Sequence, residues 1–113
     1  MTNQQIFNKV AKHLIRQGIT SEDANNFCQY RGPNGLKCAI GCLIPDHLYD
    51  PKWDNENFEL ALIAAVIGLY EHRELLVALQ AVHDREYVCD WTWALVRCAE
   101  AFDLDPSAAE VKG

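Results

Sequence analysis

Cysteine and histidine side chains are the groups in this chain that could bind a metal ion. Cys38 and Cys42 lie four residues apart, so on a helix both sulfurs would share one face. Cys28 together with His47 or His83 could then complete a tetrahedral set of zinc ligands. Structural zinc sites usually draw on two close ligand pairs, and only one such pair is present. Free cysteine also packs as a small apolar side chain, so we expect no bound zinc and no cofactor.

A cysteine-dependent enzyme is the second chemistry that these residue types allow. Lys37 would favour a thiolate at its neighbour Cys38. His83 and Asp84 could supply the base, since the catalytic residues of thiol enzymes are often distant in sequence. A His-Asp pair near the end of a predicted helix is more often structural, with the histidine at the helix terminus. An enzyme that uses Cys38 with His83 therefore stays an alternative.

Aromatic and basic side chains favour a binding surface instead. Tyr30, Arg31 and Lys37 flank a Gly-Pro-Asn-Gly turn and have the composition of an interface hot spot. Trp93 follows the core-facing Trp91 by two residues, so its indole should point away from the core. The acidic residues between 46 and 56 match no calcium-binding loop and should form a solvated rim. The predicted partner-binding residues are Tyr30, Arg31, Lys37, Asp46, Asp50, Trp53, Asp54, Glu56 and Trp93.

Composition limits the class of protein. A chain of 113 residues with 50% apolar content can fill one core, so we expect a single domain over residues 1–113. A net charge of −6 argues against direct nucleic-acid binding, which requires a dense basic surface. Five cysteines and the absence of a signal-like start favour reduced thiols in a bacterial cytoplasm. The longest apolar run, residues 60–70, is too short to cross a membrane.

The elements that must position these residues are mainly helical. Hydrophobic periodicity predicts a compact α+β bundle of three to four helices with one small β-hairpin. The expected elements are a capped helix at about 3–17, a hairpin at about 27–40, helices at about 55–70, 73–84 and 90–103, and a polar tail at 106–113. The hairpin is expected because Asn34-Gly35 allows positive φ cheaply and Pro33 presets a turn. The predicted core residues are Ile6, Val10, Leu14, Leu79, Leu95, Cys98 and Phe102.

A longer motif runs through the region from Cys28 to Tyr49. Its residues are Cys28, Tyr30-Arg31-Gly32, Gly35, Lys37-Cys38-Ala39, Gly41, Leu43-Ile44-Pro45-Asp46 and Tyr49, followed by Leu79-Gln80, His83-Asp84 and a tryptophan. This motif resembles a family of small uncharacterised proteins encoded by tailed phages and prophages of Gram-negative bacteria. The resemblance covers most of residues 3–104, and the apolar segment 57–70 departs from it. It implies an accessory phage protein and assigns no catalytic residues.

We therefore expect a binding module that occludes a host protein, for example an anti-defence protein such as an anti-CRISPR inhibitor. An acidic surface would speed association with a basic target site. The exposed turn should make Arg31 and Lys37 matter more for partner binding than for folding. A small cysteine- or metal-dependent enzyme is the alternative. A self-associating regulatory protein, as a homodimer, is a further alternative, which the apolar segment 57–70 would indicate.

Overall fold

A computed structural model describes residues 1–55 and 59–110 of the chain. It shows a fold made mainly of α-helices, which are joined by long loops and single 3-10 turns. The helices in chain order are α1 (Asn3–Gln17), α2 (Lys52–Asn55), α3 (Leu60–Val66), α4 (Arg73–Arg85) and α5 (Trp91–Ala101). No described helix is long and apolar enough to cross a membrane.

Helix α1 shows the capping chemistry that its sequence predicts. The Thr2 hydroxyl accepts a hydrogen bond from the Gln5 amide, and the Gln5 side chain accepts one from the Thr2 amide. At the other end, Gly18 takes the left-handed conformation and donates its N–H to the Leu14 carbonyl. These caps fix both ends of the helix that carries one wall of the core.

The core lies where α1 packs against α4 and α5. Six of the predicted core residues are buried, which confirms that part of the prediction: Ile6, Val10, Leu14, Leu79, Leu95 and Cys98. Phe102 is only partly buried, because it lies at the C-cap of α5 rather than within the helix. Trp91 is buried and Trp93 is exposed, as their spacing of two residues indicates.

The C-terminal segment is not simply a polar tail. Ala108 and Ala109 lie in a 3-10 turn that packs on α1, and both are buried. The Gln4 side chain donates to the Asp105 carbonyl and accepts from the Asp105 amide. This reciprocal pair fastens the segment to the start of α1; residues 111–113 lie outside the described part of the chain.

The predicted helix over 55–70 is shorter than its apolar pattern suggests. Helix α3 covers Leu60–Val66, and Gly68 then takes a positive φ of 76° that a helix cannot contain. Leu62 and Val66, four residues apart on one face of α3, are 55% and 53% exposed. The pattern that predicted a longer buried helix therefore leaves part of its apolar surface uncovered.

The predicted β-hairpin at 27–40 is wrong, since the described residues contain no strand. Only isolated antiparallel bridges form, between Glu22 and Cys28 and between Arg31 and Lys37. The Asn-Gly turn does take positive φ at both residues, and the Gly32 amide donates to the Leu36 carbonyl at 2.8 Å, but the pairing does not extend into a ladder. Distant side chains accept the backbone N–H groups that a ladder would use: Asp54 accepts those of Tyr30 and Arg31, and Gln17 accepts that of Lys37.

Replacing Leu79 with alanine should lower the free energy of unfolding by about 2 to 5 kcal/mol, because it empties space in a fully buried part of the core. Val77 lies on the same helix and is 56% exposed, so Val77→Ala should change stability by less than about 0.5 kcal/mol. Urea unfolding of both variants measures the difference. Equal losses would show that the packing of α4 is misassigned.

Candidate functional site

Asp54 organises the loop that contains the predicted hot spot. It extends from α2, and its carboxylate accepts the Tyr30 amide at 2.6 Å and the Arg31 amide at 3.2 Å. The Tyr49 hydroxyl donates to the same carboxylate, and this contact together with burial raises the pKa of Tyr49. One acidic side chain thus replaces the strand partner that this loop lacks.

Arg31 is held by several groups at once and does not extend freely into solvent. Its guanidinium pairs with Asp46 at 2.8 Å, donates to the Ile44 carbonyl at 2.8 Å and lies 4.7 Å from the ring centre of Tyr49. Its side chain is only 20% exposed. Most of its hydrogen-bonding capacity is therefore used inside the molecule, and the expected role of Arg31 in partner binding stays a prediction.

The remaining residues of the predicted acidic surface have mixed placements. Trp53 is 5% exposed and packs edge-on against Tyr49, so its indole lies inside the fold and not on the surface where the sequence analysis placed it. Asp50 accepts the Lys52 amide and begins α2. Asp46 is exposed, and Glu56 lies outside the described residues.

Cys28, rather than Cys38, is the thiol that meets His83. The Cys28 sulfur lies 3.9 Å from His83 Nδ1, and the Asp84 carboxylate lies 2.7 Å from the same nitrogen. Cys38 is fully buried and forms a sulfur contact with Cys28, and this contact strongly raises the pKa of Cys28. The Gln80 amide donates to both Cys28 and Asp84. A thiol with a raised pKa is a weak nucleophile, so this cluster does not favour the enzyme alternative.

Hydrogen bonds at both ring nitrogens of His83 determine its protonation state. Burial disfavours a charged ring, but hydrogen bonds with Asp84 and Cys28 outweigh burial and raise the pKa of His83 to about 9. The Ser21 amide opposes that shift, because it donates to Nε2 at 2.9 Å and so requires a lone pair there. We therefore expect a neutral ring with its proton on Nδ1, directed at Asp84. Although burial opposes ionisation, hydrogen bonds from His83, Cys28 and Gln80 lower the pKa of Asp84.

This arrangement fits neither a catalytic triad nor a metal site. In a thiol triad the nucleophile and the orienting carboxylate contact opposite nitrogens of the imidazole, whereas Cys28 and Asp84 both face Nδ1. The ligand atoms of Cys28, His83 and Asp84 lie within 4.8 Å of one another. A metal among them would need the Nδ1 lone pair, which the Ser21 hydrogen bond excludes. The cluster is chemically a hydrogen-bonded anchor for the loop.

The other predicted zinc ligands lie apart from this cluster. Cys42 donates its S–H to the Ala39 carbonyl, and burial raises its pKa to about 12. His47 is exposed and belongs to no group of three metal-ligating side chains in the described part of the chain. Ser21 and Gln80 complete the hydrogen-bond network around His83, through the Ser21 amide and the Gln80 side-chain amide. The sequence analysis missed both roles, because neither residue is close to Cys28 in sequence.

A groove between α4 and α5 contains the exposed residue Trp93. The indole is 59% exposed, and the Arg97 guanidinium lies 5.3 Å from its ring centre. The groove has a volume of about 470 Å³. Its lining consists of Ala78, Ala81, Val82, Arg85, Glu86, Trp93, Ala94, Arg97 and Cys98. Among the predicted binding residues, Trp93 is therefore the aromatic side chain that a partner can reach most directly.

Comparisons with protein-family models, with curated proteins and with solved structures gave no significant match. The functional argument therefore depends on the chemistry of the chain's own surfaces.

Removing the Asp54 carboxylate should destabilise the protein more than removing any exposed acidic side chain. Asp54→Ala leaves two backbone N–H groups without their acceptor, and we expect the free energy of unfolding to fall by about 2 to 3 kcal/mol. Asp46→Ala removes an ion pair whose carboxylate is 87% exposed and should cost less than about 1 kcal/mol. Chemical unfolding of both variants measures the two losses of unfolding free energy. A smaller loss for Asp54→Ala than for Asp46→Ala would show that Asp54 does not organise the loop.

The tautomer of His83 can be observed directly. Nitrogen-15 NMR of the imidazole at pH 7 should show a protonated Nδ1 and an unprotonated Nε2, because the Ser21 amide donates to Nε2. In Asp84→Asn the same tautomer should persist, since the Ser21 contact is unchanged. Two protonated ring nitrogens at pH 7 would mean that Asp84 and Cys28 dominate and that the Ser21 contact is absent in solution.

Proposed function

We propose that this protein is a phage-encoded binding module that inhibits a host protein by occlusion, with the groove between α4 and α5 as its contact surface. The observation that carries the proposal is the exposure of Trp93 beside Arg97. Tryptophan and arginine are the residues most enriched at interface hot spots. A tryptophan that is more than half exposed costs hydration free energy unless a partner covers it.

The lining of the groove indicates the chemistry of the partner. Its floor is formed by small apolar side chains, including Ala78, Ala81 and Ala94, which leave room for an inserted apolar anchor. Arg85, Glu86 and Arg97 are exposed residues of the lining, and with two arginines against one glutamate the groove favours a carboxylate on the partner. The expected partner segment therefore has a bulky apolar residue next to an acidic one, as on one face of an amphipathic helix.

The phage context supplies the remaining part of the proposal. The motif from Cys28 to Tyr49 resembles that of phage and prophage proteins, a class that often acts by binding and blocking host proteins. The net charge of −6 would add steering towards a basic target surface. If the partner belongs to a defence complex, inhibition by this protein would be anti-defence activity.

Self-association is the second candidate, and a specific observation favours it. Leu62 and Val66 expose one apolar face of α3, and a second copy of the chain could cover it. Sedimentation equilibrium of the wild type and of Leu62→Gln tests this. A dimer that dissociates in the variant would support a regulatory homodimer, whereas a monomeric wild type would exclude it.

Trp93→Ala should abolish capture of the partner without unfolding the protein. Affinity capture from infected host cells, followed by mass spectrometry, identifies proteins retained by the wild type, and the purified candidate is then titrated. Loss of a hot-spot tryptophan should weaken binding by about 30-fold or more, equivalent to about 2 kcal/mol. Tyr87→Ala is the matched control, because Tyr87 is exposed but does not line the groove.

Fluorescence gives a second measurement of the same contact. Trp53 and Trp91 are buried, so Trp93 is the indole that should respond to acrylamide quenching. A partner that covers the groove should shield Trp93 and shift its emission to shorter wavelength. If a partner binds equally well to the wild type and to Trp93→Ala, with no shielding, the interface lies elsewhere and the proposal for this groove is wrong.

A further inference from the structure

A second groove, beside α1, concentrates positive charge on this acidic protein. Lys9, Lys12 and Arg16 recur at helical spacing on one face of α1, and Lys37 faces them from the loop. These four side chains are almost half of the ten Lys and Arg residues in the chain. The groove has a volume of about 630 Å³, within the range typical of small-molecule sites.

The cations of this groove have no acidic partner among the residues that the structure describes. The first acidic residue in the sequence is Glu22, so α1 has no carboxylate of its own. Within residues 1–55 and 59–110, no ion pair joins a groove cation to an acidic side chain, whereas Arg31 pairs with Asp46. A concave cluster of unpaired cations focuses positive potential on a molecule whose net charge is −6.

Hydrogen bonds fix Lys37 against α1, so the groove has a defined wall. The Gln17 side chain accepts the Lys37 amide at 3.0 Å and donates to the Lys37 carbonyl at 2.9 Å. His13 Nε2 donates to the same carbonyl at 2.8 Å. His13 therefore keeps Nδ1 free to take up a proton, although burial and the charge of Lys37 lower its pKa.

We propose that this groove binds a small ligand with at least two phosphate groups, such as a nucleoside triphosphate or an inorganic polyphosphate. Lysine binds phosphate as a point charge, and several lysines can share one phosphate chain. An extended nucleic acid fits less well, because its further phosphates would approach the acidic remainder of the surface. Among the described residues, no Phe, Tyr or Trp ring lines the groove, so we expect contacts with phosphate to supply most of the affinity.

Isothermal titration calorimetry with sodium triphosphate and with ATP tests the proposal on the full chain. The double variant Lys12→Gln, Arg16→Gln should weaken triphosphate binding by about tenfold or more, because it removes two charge-assisted contacts. The matched control is Lys52→Gln, Arg73→Gln, which makes the same change of charge at exposed positions outside the groove. The control should bind within about twofold of the wild type, since distant charges are screened by salt.

NMR titration of His13 provides a readout that does not depend on calorimetry. A bound phosphate chain favours the imidazolium, so saturating triphosphate should raise the pKa of His13 in the wild type. The double variant should show a smaller rise. The ring signals of His83 should not change, because His83 does not line this groove.

The probes separate the sources of the phosphate and the rival occupants. Tighter binding of ATP than of triphosphate assigns a nucleotide, and equal binding assigns the phosphate chain alone; both support the site. Absence of saturable binding at millimolar concentration of either probe would overturn the proposal. The proposal would also be overturned if the control variant lost as much affinity for triphosphate as the groove variant. Tighter binding of a glutamate-rich peptide of equal charge than of triphosphate would overturn it as well.

Discussion

The long connection between α1 and α2 has no sheet of its own, and its backbone polar groups must still be bonded. Buried N–H and C=O groups without partners cost about 1 to 3 kcal/mol each, so a loop that packs against a core needs partners from elsewhere. Side chains from the helices supply them. Gln17 of α1, Asp54 of α2, and Gln80 and His83 of α4 accept the amides of Lys37, Tyr30, Ile40 and Ser21, respectively. Side chains from three helices thus accept the loop amides that would otherwise bond to a neighbouring strand.

That constraint explains why residues with catalytic chemistry are used structurally. His83 is buried and its Nε2 is occupied by an amide, so the ring cannot act as a base there. The Arg31 guanidinium forms an ion pair with Asp46 and donates to the Ile44 carbonyl, so these groups are bonded within the molecule. Once such groups are assigned to the loop, the groups left exposed include Trp93, the cations beside α1 and the apolar face of α3. Most of these side chains lie on helices, where rigid backbone presents them.

The sequence predicted the features that depend on local chemistry. The capping box of Thr2 and Gln5 and the outward direction of Trp93 follow from spacing alone, and both are present. The hairpin failed because its donors bond to Gln17 and Asp54, and no local pattern reports an acceptor that lies 20 or more residues away. The burial of Trp53 was also not predicted, because its polar neighbours in sequence suggested an exposed loop whereas its indole packs against Tyr49. The basic stripe on α1 was readable, because no acidic residue precedes Glu22.

Two glycines of the motif from Cys28 to Tyr49 lie where the loop packs too closely for a larger side chain. A Cβ at Gly41 would overlap the Tyr30 carbonyl, and one at Gly32 would lie 2.5 Å from the Ser21 hydroxyl. Ser21 is also the residue whose amide contacts His83, so the motif and the cluster around His83 form one packed unit. Because this unit uses most of its polar groups internally, the motif mainly stabilises the loop. Lys37 is the basic residue of the motif that also lines the groove beside α1, where the loop meets the basic face of the helix.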